Sequence, residues 1–364
     1  MTPAADYMPP VPLSSIKILP LLEQHVINRN NAFDLIRHVA ALAVLVSHHY
    51  VLSGFQEPML KGYNSLGAIA VLAFFVISGF LISQSFLNTP SVYRYLEKRI
   101  ARLFPALIVC AGVMVYIAGL LFSKGRGAEY VLSLDALIDF LKISMFGRAD
   151  ISEITSDFIF NDSFNGSLWT LKIEFGFYVA LALALLLMRS VTTPLFIALF
   201  FCLTTYICST SSHPMAPKLL AYSTVGIAFF VGASLYFYKA LFASPKTKIV
   251  VGILSIMLVF FSLNTPWVMV LASVGISVLV LMVGTFFSDT IIRSRFDISY
   301  GMYLYAFPVQ QLMINVSGLS FYASLSASVA VVIVLATLSW LMVEKPILNY
   351  VHGKSRARLS GAAV

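Results

Sequence analysis

Long apolar segments, separated by short polar linkers, run through almost the whole chain. Ten of these segments are long enough, or nearly so, to cross a bilayer, which takes about 20 residues in a helix. They lie at 33–53, 66–87, 101–122, 168–188, 191–208, 219–238, 249–263, 267–287, 297–317 and 323–343. The pattern predicts an all-α fold, a polytopic integral membrane protein with about ten transmembrane helices.

The polar segments divide the chain into one membrane domain and two tails. We predict an N-terminal tail at 1–32, a ten-helix domain at 33–345 and a C-terminal tail at 346–364. The one long connection is 123–167. Within it, residues 133–146 place leucine, isoleucine and methionine side chains on one helical face. This stripe is typical of an amphipathic helix lying on the membrane surface, and a short helix packed on the bundle fits it equally well.

The composition agrees with a membrane protein. Hydrophobic residues make up 59% of the 364 residues and charged residues only 11%, whereas soluble domains carry about 25% charged residues. The net charge of +8 could suggest a nucleic-acid partner. In a membrane chain it is better explained by basic cytoplasmic loops, so we expect no nucleic acid. The three cysteines lie in apolar runs without metal-ligand spacing, and we expect no metal site.

The lysine and arginine residues fall on alternate sides of the predicted spans. If the N-terminus is cytoplasmic, seventeen of the 24 basic residues lie on the cytoplasmic side. Four of them, Arg189, Arg293, Arg295 and Lys345, lie next to spans in the second half of the chain. This bias predicts that both termini are cytoplasmic and that 123–167 lies outside.

The first apolar segment is the most polar of the ten. It carries Asp34, Arg37, His38, His48 and His49, and ionisable residues inside a membrane are costly and usually functional. Arg37 and His48 are eleven residues apart, which puts them within about 20° on one helical face and about 16 Å apart along the axis. His49 points about 100° away. We take His48 as the candidate general base. The alternative is that Arg37 reaches the membrane interface and His48 only caps a polar helix end.

Glu174 is the corresponding ionisable residue of the fourth segment. It lies about as far from the outer end of its segment as His48 does from the outer end of the first. A carboxylate that orients an imidazole and stabilises its cation is a common way to build a general base. We therefore predict that Glu174 supports His48. A structural pair of Glu174 with Lys172 or with a histidine is the competing interpretation.

Arg99 and Arg102 lie where the second loop ends and the third segment begins, and they are neighbours if they lie on a helix. Paired guanidinium groups suit phosphate oxygens. The positive-inside bias alone also predicts arginine at this place.

Taken together, these segments resemble the acyltransferase family 3 membrane proteins. The resemblance runs from about residue 32 to residue 350 and follows the order of the family's motifs. Its elements are Arg37 with His48, FFVISGFLI (74–82), RIARLFP (99–105), SLWTLKIEFGFY (167–178), ISYGMYLYAFPV (298–309) and VEKP (343–346).

The resemblance implies an acyltransferase that uses acyl-CoA, most simply acetyl-CoA, as a donor substrate bound from the cytoplasm, with no permanently bound cofactor. The acceptor would be a hydroxyl of an outward-facing carbohydrate or glycolipid, such as a surface polysaccharide, lipopolysaccharide or lipo-oligosaccharide. The protein would lie among the lipids of the plasma (bacterial inner) membrane.

The expected site residues follow from both arguments. The catalytic set is His48, Glu174 and Arg37, with Arg37 holding either the thioester end of the donor or the surrounding helices. The substrate-binding set is Arg99, Arg102, Trp169, Tyr303 and Tyr305. The chain departs from the family at Ala306, where a histidine is frequent, so no second catalytic histidine is expected there.

Two other functions fit a polar first span. A transporter or flippase for a small or lipid-linked molecule also needs polar groups within the membrane. It should show inverted-repeat symmetry and broken helices in matching halves, and neither is evident in the sequence. A receptor or scaffold would leave the polar face of the first span and Glu174 without a purpose.

Overall fold

Helices form the framework of the protein. A computed structural model describes residues 31–89, 91–188, 190–289, 291–292, 296–351 and 353. In these ranges, nine helices are long and apolar enough to cross a membrane. They are α1 (Phe33–Leu52), α2 (Leu66–Leu87), α3 (Val92–Phe122), α7 (Trp169–Met188), α8 (Thr193–Thr210), α9 (Ala216–Phe237), α10 (Pro245–Ser262), α11 (Val268–Phe286) and α13 (Phe321–Val351).

The remaining predicted span, 297–317, is α12 (Ser299–Asn315). Its 17 residues extend about 26 Å, close to the thickness of the hydrocarbon core. All its residues from Ser299 to Gln311 are buried, because α12 packs against α1, α3 and α13. Each of the ten predicted segments is therefore helical, and the prediction of an all-α polytopic membrane protein is confirmed.

Two helices extend beyond their predicted ends. The third begins at Val92 rather than at 101, and the last continues to Val351, past the expected domain boundary at 345. Each contains a π-helical turn, Val113–Ala118 in α3 and Trp340–Glu344 in α13. As a result, Arg99 and Lys345 lie on helices rather than in linkers. The tails 1–30 and 354–364, together with Arg189, Arg293 and Arg295, lie outside the described residues.

The connection 123–167 folds into three short helices, α4 (Gly127–Val131), α5 (Leu134–Ser144) and α6 (Ser152–Thr155). α5 is the amphipathic helix expected at 133–146; it packs against α3, and its buried residues are Ala136, Ile143 and Ser144. The expected apolar stripe faces away from the bundle and is exposed at Leu134, Leu137, Ile138, Leu141 and Met145. An exposed stripe of this kind is typical of a helix that contacts lipid.

The centre of the bundle depends on a very close approach between α2 and α9. A Cβ atom on Gly79 would lie 1.9 Å from the carbonyl oxygen of Phe229. A Cβ atom on Gly232 would lie 2.1 Å from the carbonyl oxygen of Val76. The two glycines therefore allow the backbones to touch, as small residues do at other transmembrane helix interfaces.

Alanine at either glycine should destabilise the bundle. Gly79→Ala and Gly232→Ala each place a methyl group inside a backbone carbonyl that cannot move aside, and we expect a loss of more than about 2 kcal/mol. The measurement is the thermal unfolding midpoint of the detergent-solubilised protein. Gly252→Ala in α10 is the matched control, because its Cβ atom meets only Leu279 at an ordinary 3.9 Å. Unchanged midpoints in both central variants would contradict the close contact.

Candidate active site

A row of three cavities runs through the bundle, and each shares lining residues with the next. The basic cavity, about 650 Å³, lies where α1 and α3 begin and α13 ends. The central cavity, about 130 Å³, shares Arg37, Arg99 and Arg102 with it. The histidine cavity, about 380 Å³, shares Val71, Thr170 and Tyr303 with the central one. The row leads from the side where α1 begins towards the side of the connection 123–167.

An ion-pair network lies where the basic and central cavities meet, because Arg37 and Arg102 line both. Asp297 Oδ2 accepts hydrogen bonds from Arg37 Nη2 at 3.2 Å and from Arg102 Nη2 at 2.6 Å. Arg102 Nη1 lies 3.3 Å from Glu344 Oε2, and Arg37 also pairs with Asp34. The network links α1, α3, the start of α12 and α13, so Arg37 and Arg102 hold the helices together at this side.

The two acidic partners are fixed by their own neighbours. Ser299 Oγ donates to Asp297 Oδ1 at 2.6 Å. Ser339 Oγ donates to Glu344 Oε1 at 3.2 Å, and Glu344 ends the π-helical turn of α13. Sequence reasoning missed both carboxylates as site residues, although VEKP contains Glu344. The available signal was that a buried arginine needs an acidic partner.

Arg99 is placed differently from Arg102. Its Nη2 donates to Ser85 Oγ at 3.2 Å, and its guanidinium lies 5.9 Å from the centre of the Tyr95 ring. Its buried Nε has no hydrogen-bond partner, and Arg99 makes no ion pair within the described part of the chain. Because it lines both the basic and the central cavity, it can bind an anion in either.

Glu174 lines the central cavity, which Arg37 and Arg99 also line. Its Oε1 accepts hydrogen bonds from Ser78 Oγ and Tyr178 OH, both at 2.5 Å. The expected hydrogen bond between Glu174 and His48 is absent from the described structure, and His48 lines the histidine cavity instead. The competing pairs of Glu174 with Lys172 or a histidine are also absent from the described ion pairs.

The two adjacent histidines of α1 have different surroundings. The ring of His48 packs edge-on against Phe307 at 5.3 Å, and its buried Nδ1 has no hydrogen-bond partner among the described residues. His49 points to α13, where its Nε2 lies 3.2 Å from Phe321 O and 3.1 Å from Ser324 Oγ. The Nδ1 atoms of both rings are thus buried without a hydrogen-bond partner among the described residues. The two histidines differ in that His48 lines the histidine cavity, whereas His49 contacts α13 through Nε2.

The three expected aromatic contacts are divided between two locations. Trp169 and Tyr303 line the histidine cavity, and Tyr303 also lines the central one. Tyr303 OH donates to Ser167 O at 2.9 Å. Tyr305 is buried and lines none of the three cavities, so the geometry does not place it at a substrate. Ala306, where the family often has histidine, belongs to an apolar cluster with α1 and α13.

Comparison with known proteins identifies related sequences. An O-acetyl transferase of Shigella phage Sf6 is 37% identical over 330 residues, which cover 88% of this chain and 97% of the relative. Nodulation protein 10 of Rhizobium leguminosarum bv. viciae is 27% identical over 375 residues, with 93% and 99% covered. Acyltransferase MdmB of Streptomyces mycarofaciens is 28% identical over 163 residues, with 43% and 39% covered. No solved structure gives a significant match.

The family assignment rests on nearly the whole chain. A family model for an acyltransferase domain matches residues 30–344, a range that contains almost every residue lining the three cavities. An enzymatic role therefore takes precedence over the transporter and scaffold alternatives. The chain is an acyltransferase and belongs to acyltransferase family 3.

Proposed function

We propose that this acyltransferase moves an acetyl group from acetyl-CoA, bound in the basic cavity, to a hydroxyl of a carbohydrate held in the histidine cavity. The observation that carries the proposal is the row of cavities, which is lined by arginines at one end and by the imidazole of His48 at the other. The relative named O-acetyl transferase supports acetyl as the transferred group.

The basic cavity suits the phosphates of the donor. Five basic side chains and two carboxylates line it, which leaves an excess of positive charge for an anion. Arg37 and Arg102 already have acidic partners, so Arg99 is the guanidinium that the phosphates would engage. The slender pantetheine arm would then extend through the small central cavity and bring the thioester towards His48.

The chemistry requires a base next to the acceptor hydroxyl. In the proposed reaction, His48 takes the hydroxyl proton while the oxygen attacks the thioester carbonyl carbon. The new C–O bond forms the acetyl ester and the C–S bond breaks. The leaving thiolate then takes the proton back from His48, which restores the neutral imidazole and releases CoA as a thiol. Atoms and charge balance without a cofactor.

Glu174 and Arg37 would act from the central cavity rather than on the imidazole. Through Ser78 and Tyr178, Glu174 fixes the wall along which the donor arm would lie. Arg37, three turns from His48 on α1, holds α1 to Asp297. Both are therefore positioning residues in this proposal.

The proposed setting is the plasma membrane of a bacterium, with both termini cytoplasmic and lipid around the apolar faces. The basic cavity would then open to cytoplasmic acetyl-CoA. The histidine cavity would face an acceptor outside, such as a surface polysaccharide, lipopolysaccharide or lipo-oligosaccharide. The exposed stripe of α5 would lie against the outer leaflet.

Cysteine labelling tests this orientation. The three native cysteines, all free, are first replaced by serine. Single cysteines at Ser152, in the exposed connection, and at Ser360, in the C-terminal tail, should then differ in their reaction with a membrane-impermeant maleimide on intact cells. We expect labelling at 152 only, because the basic side should be cytoplasmic. Both sites should react after the membrane is permeabilised, which is the control. Labelling at 360 on intact cells would contradict the orientation.

Replacement of His48 tests the proposed base. His48→Ala should lower acetyl transfer by at least about 100-fold, as expected when a general base is lost. The measurement is the alkali-labile O-acetyl content of surface glycans from cells with equal amounts of each variant in the membrane. His49→Ala is the matched control and should cost much less, because His49 contacts α13 rather than the cavity. Near wild-type transfer by His48→Ala would refute the mechanism.

The two arginines should respond in different ways to alanine substitution. Arg99→Ala should raise the KM for acetyl-CoA by about tenfold or more while the protein remains stable, because a charge-assisted contact to phosphate is lost. Arg102→Ala should reduce stability by about 3–5 kcal/mol, because Glu344, with only 2% of its side chain exposed, loses its ion pair.

Initial-rate kinetics in membrane vesicles and thermal unfolding in detergent measure the two effects separately. If Arg99→Ala left the KM for acetyl-CoA unchanged, the donor contact would be refuted, and Arg99 would contribute only to the positive charge that sets the topology.

A further inference from the structure

The histidine cavity contains a carboxylate that the proposed mechanism does not use. Glu57 lies in the linker between α1 and α2, and within the described structure it is the only charged side chain lining this cavity. We infer that Glu57 and Trp169 form a subsite for a neutral sugar ring of the acceptor. This inference rests on the proposed carbohydrate acceptor and adds to it the class of sugar and the residues that hold it.

The carboxylate of Glu57 is held in a fixed position. Its Oε2 accepts a hydrogen bond from Ser47 Oγ, and that hydroxyl accepts the N–H of Gly67 at 3.0 Å. Gly67 packs tightly on the serine, since a Cβ atom there would lie 2.9 Å from Ser47 Oγ. The other oxygen, Oε1, has no hydrogen-bond partner in the described ranges. A half-buried carboxylate with one free oxygen is thus presented to the cavity.

The charge of this subsite selects against acidic sugars. No lysine or arginine lines the histidine cavity in the described part of the chain, so a uronate would meet Glu57 without a compensating cation. Hydroxyl groups of a neutral ring can donate to the carboxylate, and hydrogen bonds to an ionised acceptor are about twice as strong as neutral ones. The subsite therefore favours a neutral ring.

Trp169 supplies an aromatic surface in the cavity that Glu57 also lines. Its side chain is 38% exposed, and its ring packs on Tyr222 with centroids 5.5 Å apart and planes inclined by 30°. The tyrosine behind it fixes the indole, leaving an aromatic surface for the C–H face of a pyranose. An aromatic surface combined with a few placed polar groups is the usual composition of a small-molecule site.

The first part of the test identifies the acceptor fraction. Membrane vesicles with the full-length protein are incubated with radiolabelled acetyl-CoA and the surface polysaccharide of the expressing bacterium, released by mild acid. Before the incubation, the polysaccharide is separated by anion exchange into neutral and acidic fractions, and each fraction is tested separately. We expect label in the neutral fraction. Label in the acidic fraction alone would overturn the subsite and leave the proposed function intact, whereas label in neither would refute the carbohydrate acceptor itself.

The second part measures the contribution of each residue. Glu57→Gln keeps the size and the contact with Ser47 but replaces the free oxygen by an N–H donor. It should raise the KM for the neutral fraction by about 10- to 100-fold, with kcat and the KM for acetyl-CoA retained. Glu153→Gln is the control, because Glu153 is an exposed carboxylate of the connection 123–167 and lines none of the three cavities.

Trp169→Leu should also raise the acceptor KM alone. Its control is Trp267→Leu, since Trp267 stacks on Tyr206 at 3.9 Å near the same side of the bundle but lines no cavity of the row. If Glu57→Gln is unstable, Glu57→Asp and Trp169→Leu are judged by the same KM criterion. An acceptor KM that stays at the wild-type value in the stable variants overturns the subsite.

Discussion

The ion pairs around Asp297 are the interaction on which the site depends. Charged groups are costly in a low-dielectric interior unless they are paired, and Asp297 lies between the guanidinium groups of Arg37 and Arg102. One carboxylate thereby fixes α1, α3 and α12 at one side of the bundle, and Glu344 adds α13. Because Arg37 and Arg102 are paired with these carboxylates, Arg99 is the arginine of the basic cavity that can serve a ligand without weakening the framework.

Helix geometry separates the two ends of the site. Arg37 and His48 lie on one face of α1, about 16 Å apart along its axis, and they line opposite ends of the cavity row. A donor with a charged head, a thin arm and a reactive end matches such an arrangement better than a compact one does. The rigid spacing along α1 would thus set which length of arm brings a carbonyl to the imidazole, in the reaction we propose.

Local geometry was predictable from the sequence, but contacts between helices were only partly so. The common face of Arg37 and His48 follows from 3.6 residues per turn. The position of Glu174 along its segment suggested a contact with His48, yet such a position does not fix rotation about the helix axis, and Tyr178, one turn along, engages Glu174 instead. The early start of α3 was missed because its first turns are charged. Glu57 was missed because it lies in a linker. An ionisable residue indicates a functional site by its cost only when it lies within a membrane span.

The three cavities differ in size, and the central one is the smallest. At about 130 Å³ it is far smaller than the cavities on either side, and Tyr178, Tyr303 and Phe74 are among its walls. Hydrogen bonds from Ser78 and Tyr178 to Glu174 and from Tyr303 to Ser167 O fix part of this wall. In the reaction we propose, this smallest space would hold the extended arm of the donor, and the sugar would stay in the histidine cavity. Only the acetyl group would therefore need to cross between the two larger cavities.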